Sequence, residues 1–210
     1  MRFLSPARLP PPGGDSSRDV FAPVHRSGYL LRLMAALIVC AGFSLPLAAD
    51  RQLELAVKAT FLYKFAPFVT WPAEAFDTPS SPFRLCVVGT DPFGALLDDA
   101  VRGQTVMSRP IALRRLASVD RQSGCHAVFV SGSAVQSAAE ALRAVDRTAT
   151  LTVTDATLGP HRGIVHFVIT NDRVTFDIDN AAAARNRLSI SSKLLALARN
   201  VRGQPLAGSQ

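Results

Sequence analysis

The chain has 210 residues, a formal net charge of +7, 48% hydrophobic and 7% aromatic residues, a length that suits one domain with a real core plus additional segments. Five arginines against two aspartates in residues 1–49 account for +3, leaving +4 spread through residues 50–210. With no dense basic run interleaved with aromatics, this argues against nucleic-acid binding.

Residues 1–28 are rich in Pro, Gly, Ser and Arg and are expected to be unstructured. Leu30 to Ala49 reads as a signal peptide. Arg26 and Arg32 supply the positive flank, Leu33 to Phe43 the apolar centre, and Leu47-Ala48-Ala49 a small-residue cleavage site. The apolar part is too short to span a bilayer comfortably. The expectation is therefore export to the periplasm, cleavage near Ala49, and a mature protein that does not itself cross the membrane. Residues 1–49 form the extension and leader, 50–202 a single domain, and 203–210 a loose tail. Cys40 leaves with the leader, so the mature chain keeps Cys86 and Cys125. An even count in an oxidising compartment favours a disulfide closing a loop of about 40 residues; two separately buried thiols are the alternative.

From Arg51 to Val69, Leu53, Val57, Phe61, Phe65 and Phe68 recur at three- and four-residue steps. That is one face of an amphipathic helix, with Arg51, Glu54, Lys58 and Lys64 on the other. Pro67 removes a hydrogen bond and predicts a kink or an end. Leu85 to Val88 is a short apolar run of the kind found in strands covered on both faces. Gly89 breaks it, Asp91 offers an N-cap oxygen and Pro92 suits a first helical position, which predicts a helix to about Val101. Gln104 to Leu116 reads as one or two short strands around Pro110. Ala127 to Val130 is a second buried strand, followed by a helix from Ser133 to about Val145 and a third β segment over Thr150–Thr154. A strand feeding a helix in this way marks an α/β unit. Ile164–Thr170 and Arg173–Asp179, joined by Asn171-Asp172, read as a β-hairpin. Val174, Phe176 and Ile178 face the core, while Arg173, Thr175, Asp177 and Asp179 face solvent or a partner. Asn180 or a neighbour caps an Ala-rich helix, and Ser191 or Ser192 caps a last one over Lys193–Asn200. The fold class is α/β: a mixed β-sheet of about six strands with helices on both faces, ending in a hairpin and two short helices.

Reactive constellations are weak. Gly89 to Gly94 follows a strand and opens a helix, but it is neither GxGxxG nor a phosphate loop with Lys-Ser/Thr, so it reads as a structural turn and no cofactor is expected. Cys125 and His126 are strand neighbours and point to opposite faces, which prevents a nucleophile–base pair. Cys86, Cys125 and His126 lack metal-ligand spacing. Ser191-Ser192-Lys193 is not SxxK. Asp177 and Asp179 share a strand face about 7 Å apart, a separation at which paired carboxylates do acid–base work, yet no aromatic sugar platform lies near them.

Seven stretches taken together resemble the YfiR-like family of periplasmic regulators. They are Lys58-Ala-Thr-Phe-Leu-Tyr-Lys-Phe-Ala-Pro-Phe-Val-Thr-Trp-Pro72, Phe83 to Gly94, Cys125-His-Ala-Val-Phe-Val-Ser131, Leu151 to Asp155, Gly163 to Phe167, Val174 to Ile178 and Leu188 to Leu195. The resemblance implies a mixed-sheet α/β fold, often dimeric, without enzymatic activity. It implies binding to the periplasmic sensor region of a membrane diguanylate cyclase, which the protein holds inactive, so that cyclic-di-GMP falls. It also implies that Cys86 and Cys125 pair; the second cysteine pair of some members is missing here. The family's partner-facing acidic position corresponds to Asp177, where glutamate is usual. Ala183, smaller than the expected aliphatic residue, Ser189 and Ser191 belong to the same region. The alternative reading is a periplasmic small-ligand-binding module without a cyclase partner, its pocket formed by the 53–69 helix and the sheet.

Overall fold

The computed structural model describes residues 45–203. Most of the expected leader lies outside them, as does most of the expected tail. The α/β class predicted from the sequence is the one observed. Helix α1 (Leu45–Lys64) begins ahead of the expected cleavage point and leads through a 3-10 turn (Ala66–Phe68) into β1 (Val69–Thr70). The elements β2 (Phe83–Gly89), α2 (Ala95–Val101), β3 (Thr105–Val106), β4 (Arg109–Leu116), β5 (Ala127–Gly132), α3 (Ala138–Ala144) and β6 (Leu151–Asp155) follow. Then come β7 (Val165–Thr170), β8 (Arg173–Asp179), α4 (Asn180–Arg185), β9 (Ser189–Ile190), α5 (Ser192–Leu197) and β10 (Asn200–Arg202).

The main sheet has eight strands rather than about six, in the order β10-β8-β7-β6-β5-β2-β4-β3. The two additional strands are short: β3 closes one edge against Arg109 and Pro110, and β10 closes the other. Strands β4, β2, β5, β6 and β7 are mutually parallel, and the hairpin turns β8 antiparallel to β7. Strands β1 and β9 form a separate antiparallel pair.

One sheet face packs against α1. Phe61 of the helix and Phe65 just beyond its end meet Phe167 and Phe176 of the hairpin, with ring centroids 5.0–6.2 Å apart. Offset and edge-on contacts of this kind add to the area they bury. The other face carries Cys86, Val88, Val128 and Val130 beneath Ala141 and Val145 of the α3 segment. The alternating strand residues thus serve two covered faces, which is why β2 and β5 are apolar at successive positions. At the C-terminal ends of these strands the turns cross closely. A Cβ on Gly89, whose φ is 89°, would sit 2.4 Å from the Gly132 carbonyl oxygen, so only glycine fits.

Some local details follow the sequence reading and others differ from it. Helix α1 ends near Pro67, as that residue predicts: it stops at Lys64, and Pro67 sits in the 3-10 turn where it removes no α-helical bond. Asp91 is not an N-cap. Its carboxylate accepts from the Phe93 N–H (2.7 Å) and the Arg115 Nε–H (2.6 Å), and α2 starts later, at Ala95. Helix α3 starts at Ala138 rather than Ser133, because Ser137 and Glu140 form a reciprocal capping box. The cap of α4, expected at Asn180 or a neighbour, is Asp179.

The largest departure is Lys58. Its helical spacing places it on the polar face of α1, yet it is fully buried. It stands one turn before buried Leu62, so its stem continues the apolar stripe, while its ammonium donates to Asp155 at the end of β6 (2.5 Å) and to Glu54. A charge taken out of water must be paired, and here it has two carboxylates. His126 is a second buried polar anchor. The Arg84 backbone N–H donates to its Nδ1 (2.8 Å), and its Nε2 meets the Ala75 carbonyl oxygen (2.8 Å). Only the neutral ring protonated at Nε2 satisfies both partners, and burial pushes its pKa below the usual histidine range.

Cys86 and Cys125 are bonded, with Cα atoms 5.9 Å apart, and staple β2 to the segment that enters β5, its neighbour in the parallel array. The bridge closes a loop with a sequence separation of 39. Replacing both with serine is expected to lower unfolding free energy by about 3–4 kcal/mol in a denaturant titration. Lys58→Met is expected to cost about 3–5 kcal/mol by stranding Asp155, with partial recovery when Asp155→Asn is added; full additivity of the two losses would show that the pair is uncoupled.

Candidate functional site

The hairpin turn places Asn171 and Asp172 at φ 50° and 57°, as a two-residue type I′ turn requires. This sets a register in which Phe176 pairs with Phe167 and Asp177 with His166. Phe176 therefore points into the aromatic cluster. Asp177 points to the other face, beside His166 and Thr154, whose side chains lie 2.8 Å apart through Nδ1 and Oγ1.

Alternation along the strand places Asp177 toward solvent or a partner. The structure corrects this: Asp177 is 3% exposed. Two features cover it. After α5 the chain returns alongside β8, pairing Asn200 with Asp177 in parallel and bringing Arg199 to the carboxylate. Arg199 donates from Nε to Oδ1 (2.8 Å) and from Nη2 to Oδ2 (2.7 Å), the two-pronged geometry that suits a guanidinium and a carboxylate. Arg162, in the segment before β7, donates to Oδ2 at 2.9 Å. These bonds, Arg199's first, outweigh burial and hold the Asp177 carboxyl down at about 2. What this face presents to solvent is the two arginines, with 35% and 42% of their side-chain surface exposed. Arg162 commits one N–H and Arg199 two, so both keep donors for another acceptor.

The remaining expected positions separate. Ala183 on α4 is fully buried in the α1-side core, so it cannot be a direct contact; its small side chain lets α4 close over the sheet end. Ser189 is exposed on β9, paired with Thr70. Ser191 is the N-cap of α5, its hydroxyl accepting from the Leu194 N–H (3.4 Å). Asp179 is also committed, accepting from the Ala182 N–H (2.7 Å) at the start of α4. Asp177 and Asp179 are thus held by separate structural roles and do not converge. Among the described residues no group of three or more His, Cys, Asp or Glu is placed to hold a metal ion, and no helix is long and apolar enough to cross a membrane.

Sequence reasoning missed Arg162 and Arg199. They lie 15 and 22 residues from Asp177, and neither sits at a spacing that a hairpin or helix would bring to it. The return strand β10 is three residues long and leaves no periodic signal.

A family model described as DUF4154, YfiR/HmsC-like, matches residues 55–199. No curated protein matches the chain. The matched span runs from the middle of α1 to Arg199 and takes in the disulfide, the hairpin and both partners of Asp177.

The depressed carboxyl has a direct consequence. Its stabilisation is complete above the unfolded value near 3.8 and is lost as pH falls through about 2. Asp177→Asn is expected to cost on the order of 2 kcal/mol at pH 7, measured by urea denaturation, and the cost is expected to shrink as pH falls below about 4 and to approach zero only below about 2. A constant penalty across that range would show that the charge is not responsible.

Proposed function

Because the chain belongs to the YfiR/HmsC-like family, we propose that it is a periplasmic, non-enzymatic regulator that binds the periplasmic sensor region of a membrane-bound diguanylate cyclase and holds that enzyme inactive, lowering cyclic-di-GMP. In this reading residues 50–202 are one exported domain, released from a leader cut near Ala49. The observation that carries it is the identity of the covered carboxylate. The acidic residue to which the family resemblance assigns partner binding is Asp177, and here it positions two half-exposed guanidiniums. An arginine whose fork is already oriented loses less freedom when it binds a carboxylate or backbone carbonyl. Asp177 is then a positioning residue, Arg162 and Arg199 are the contacts, and exposed Ser189, on the separate β1–β9 pair, is a further contact that the family resemblance supplies.

A second reading, a small-ligand module, is favoured by one feature. A cleft of about 750 Å³ lies between α1 and the hairpin, lined by Leu53, Val57, Phe61, Ile169, Arg173 and Val174. Its size and mixed lining suit a small organic molecule. A ligand that raises the melting temperature of the wild type but not of Val57→Arg would mark this reading.

Arg162→Ala leaves Asp177 gripped by Arg199, and Ser189→Arg alters an exposed side chain. The double variant is expected to unfold within about 1 kcal/mol of the wild type while binding the cyclase sensor region at least about tenfold more weakly, a level set by losing one charge-assisted contact. Deletion of the gene is expected to raise cellular cyclic-di-GMP. Unchanged cyclic-di-GMP on deletion, or full affinity in the double variant, overturns the proposal.

A further inference from the structure

A cavity of about 550 Å³ opens beside the Asp177 cluster, between α3, α4 and the segment that leads into β7. Three arginines from three different elements line it: Arg143 of α3, Arg162 ahead of β7 and Arg185 of α4. One acidic side chain, Asp146, is opposed to them. Among the described residues, Arg143 and Arg185 make no ion pair with a carboxylate. Three like charges drawn to one concavity repel one another, and a bound anion relieves that repulsion.

The floor points the same way. Asn186 is anchored at both ends of its amide, its Nδ2 donating to the Thr150 carbonyl (2.8 Å) and its Oδ1 accepting from the Arg147 N–H (2.8 Å). Buried Thr152 accepts from the Ile164 N–H through Oγ1 (2.9 Å), which leaves its hydroxyl proton to donate. Against the single carboxylate of Asp146 stand three guanidiniums and a hydroxyl that can donate, so the balance at the walls and floor favours a ligand that brings acceptors. We propose that this cavity binds a compact organic dianion, carrying two phosphate or carboxylate groups, through Arg143, Arg162 and Arg185. Guanidinium forks match both kinds of oxyanion, and the volume falls in the range of small-molecule sites.

Arg162 gives the site a second property. It also donates to Asp177 (2.9 Å), so a dianion in the cavity competes with that carboxylate for one guanidinium. Occupancy changes how Arg162 is held on the docking face, and the cavity becomes the input for a chemical signal that adjusts partner binding. This regulatory step rests on the proposed function; the binding step does not.

The test uses the purified protein without any partner. Inorganic pyrophosphate and succinate are titrated in thermal-shift and calorimetric experiments, against sodium chloride at matched ionic strength. A saturable rise in melting temperature beyond the chloride control is expected with at least one probe. A response to pyrophosphate alone assigns the site to phosphates, and one to succinate alone assigns it to carboxylates. Arg143→Gln with Arg185→Gln is expected to weaken the response at least about tenfold, the loss of two charge-assisted contacts, while the unliganded melting temperature stays within a few degrees because both side chains are exposed. No saturable response to either probe, or an undiminished response in the double variant, overturns the site. A binding assay on the cyclase sensor region, with and without the active probe, then reads the coupling separately. An unchanged affinity there overturns the regulatory step and leaves the anion site standing.

Discussion

A carboxylate removed from water has to be compensated, and in this protein the compensation for Asp177 organises the end of the chain. Arg199 reaches it only because residues 200–202 lie parallel to β8, and Arg162 reaches it only because the segment before β7 folds across the same face. The ion cluster therefore joins three stretches that are distant in sequence. Its arginines are the parts that meet solvent, so a buried interaction decides what the surface displays.

The rest of the molecule repeats this pattern of covalent or ionic fastening at the ends of an apolar sheet. At one end of the parallel array, Cys86 and Cys125 bind neighbouring strands, with His126 held between two backbone groups nearby. At the other end, Lys58 ties α1 to the terminus of β6 through Asp155. Between these fasteners the sheet is covered on both faces, by α1 with its phenylalanines and by α3 with a smaller aliphatic cluster. Side chains so constrained hold their geometry, and that gives the half-exposed arginines a fixed orientation.

Membership of the YfiR/HmsC-like family and the charge cluster speak to different levels of function. The family supports regulation of cyclase signalling as the reading. The cluster supplies a physical route by which docking and a small anion would draw on the same guanidinium. A regulator needs an element that responds to two inputs, and Arg162, shared by a surface, a buried carboxylate and a cavity, has the connections for one.

Sequence alone determined the parts governed by short-range rules. Apolar runs marked β2 and β5, a further β segment marked β6, the alternation from Val174 to Ile178 and the Asn171-Asp172 turn marked the hairpin, and the Ser191-Ser192 pair marked the cap of the last helix. Period and turn chemistry act over a few residues, so they are legible in order along the chain. Tertiary structure decided which polar side chains were buried. Lys58 and Asp177 look like solvent-facing residues by periodicity, and both are covered, because Asp155 in one case and Arg162 with Arg199 in the other arrive from elsewhere in the chain. The gathering of Arg143, Arg162 and Arg185 around one cavity is of the same kind. Coulombic partners separated by up to a hundred residues leave no local pattern, and only the closing of the fold brings them within reach of one another.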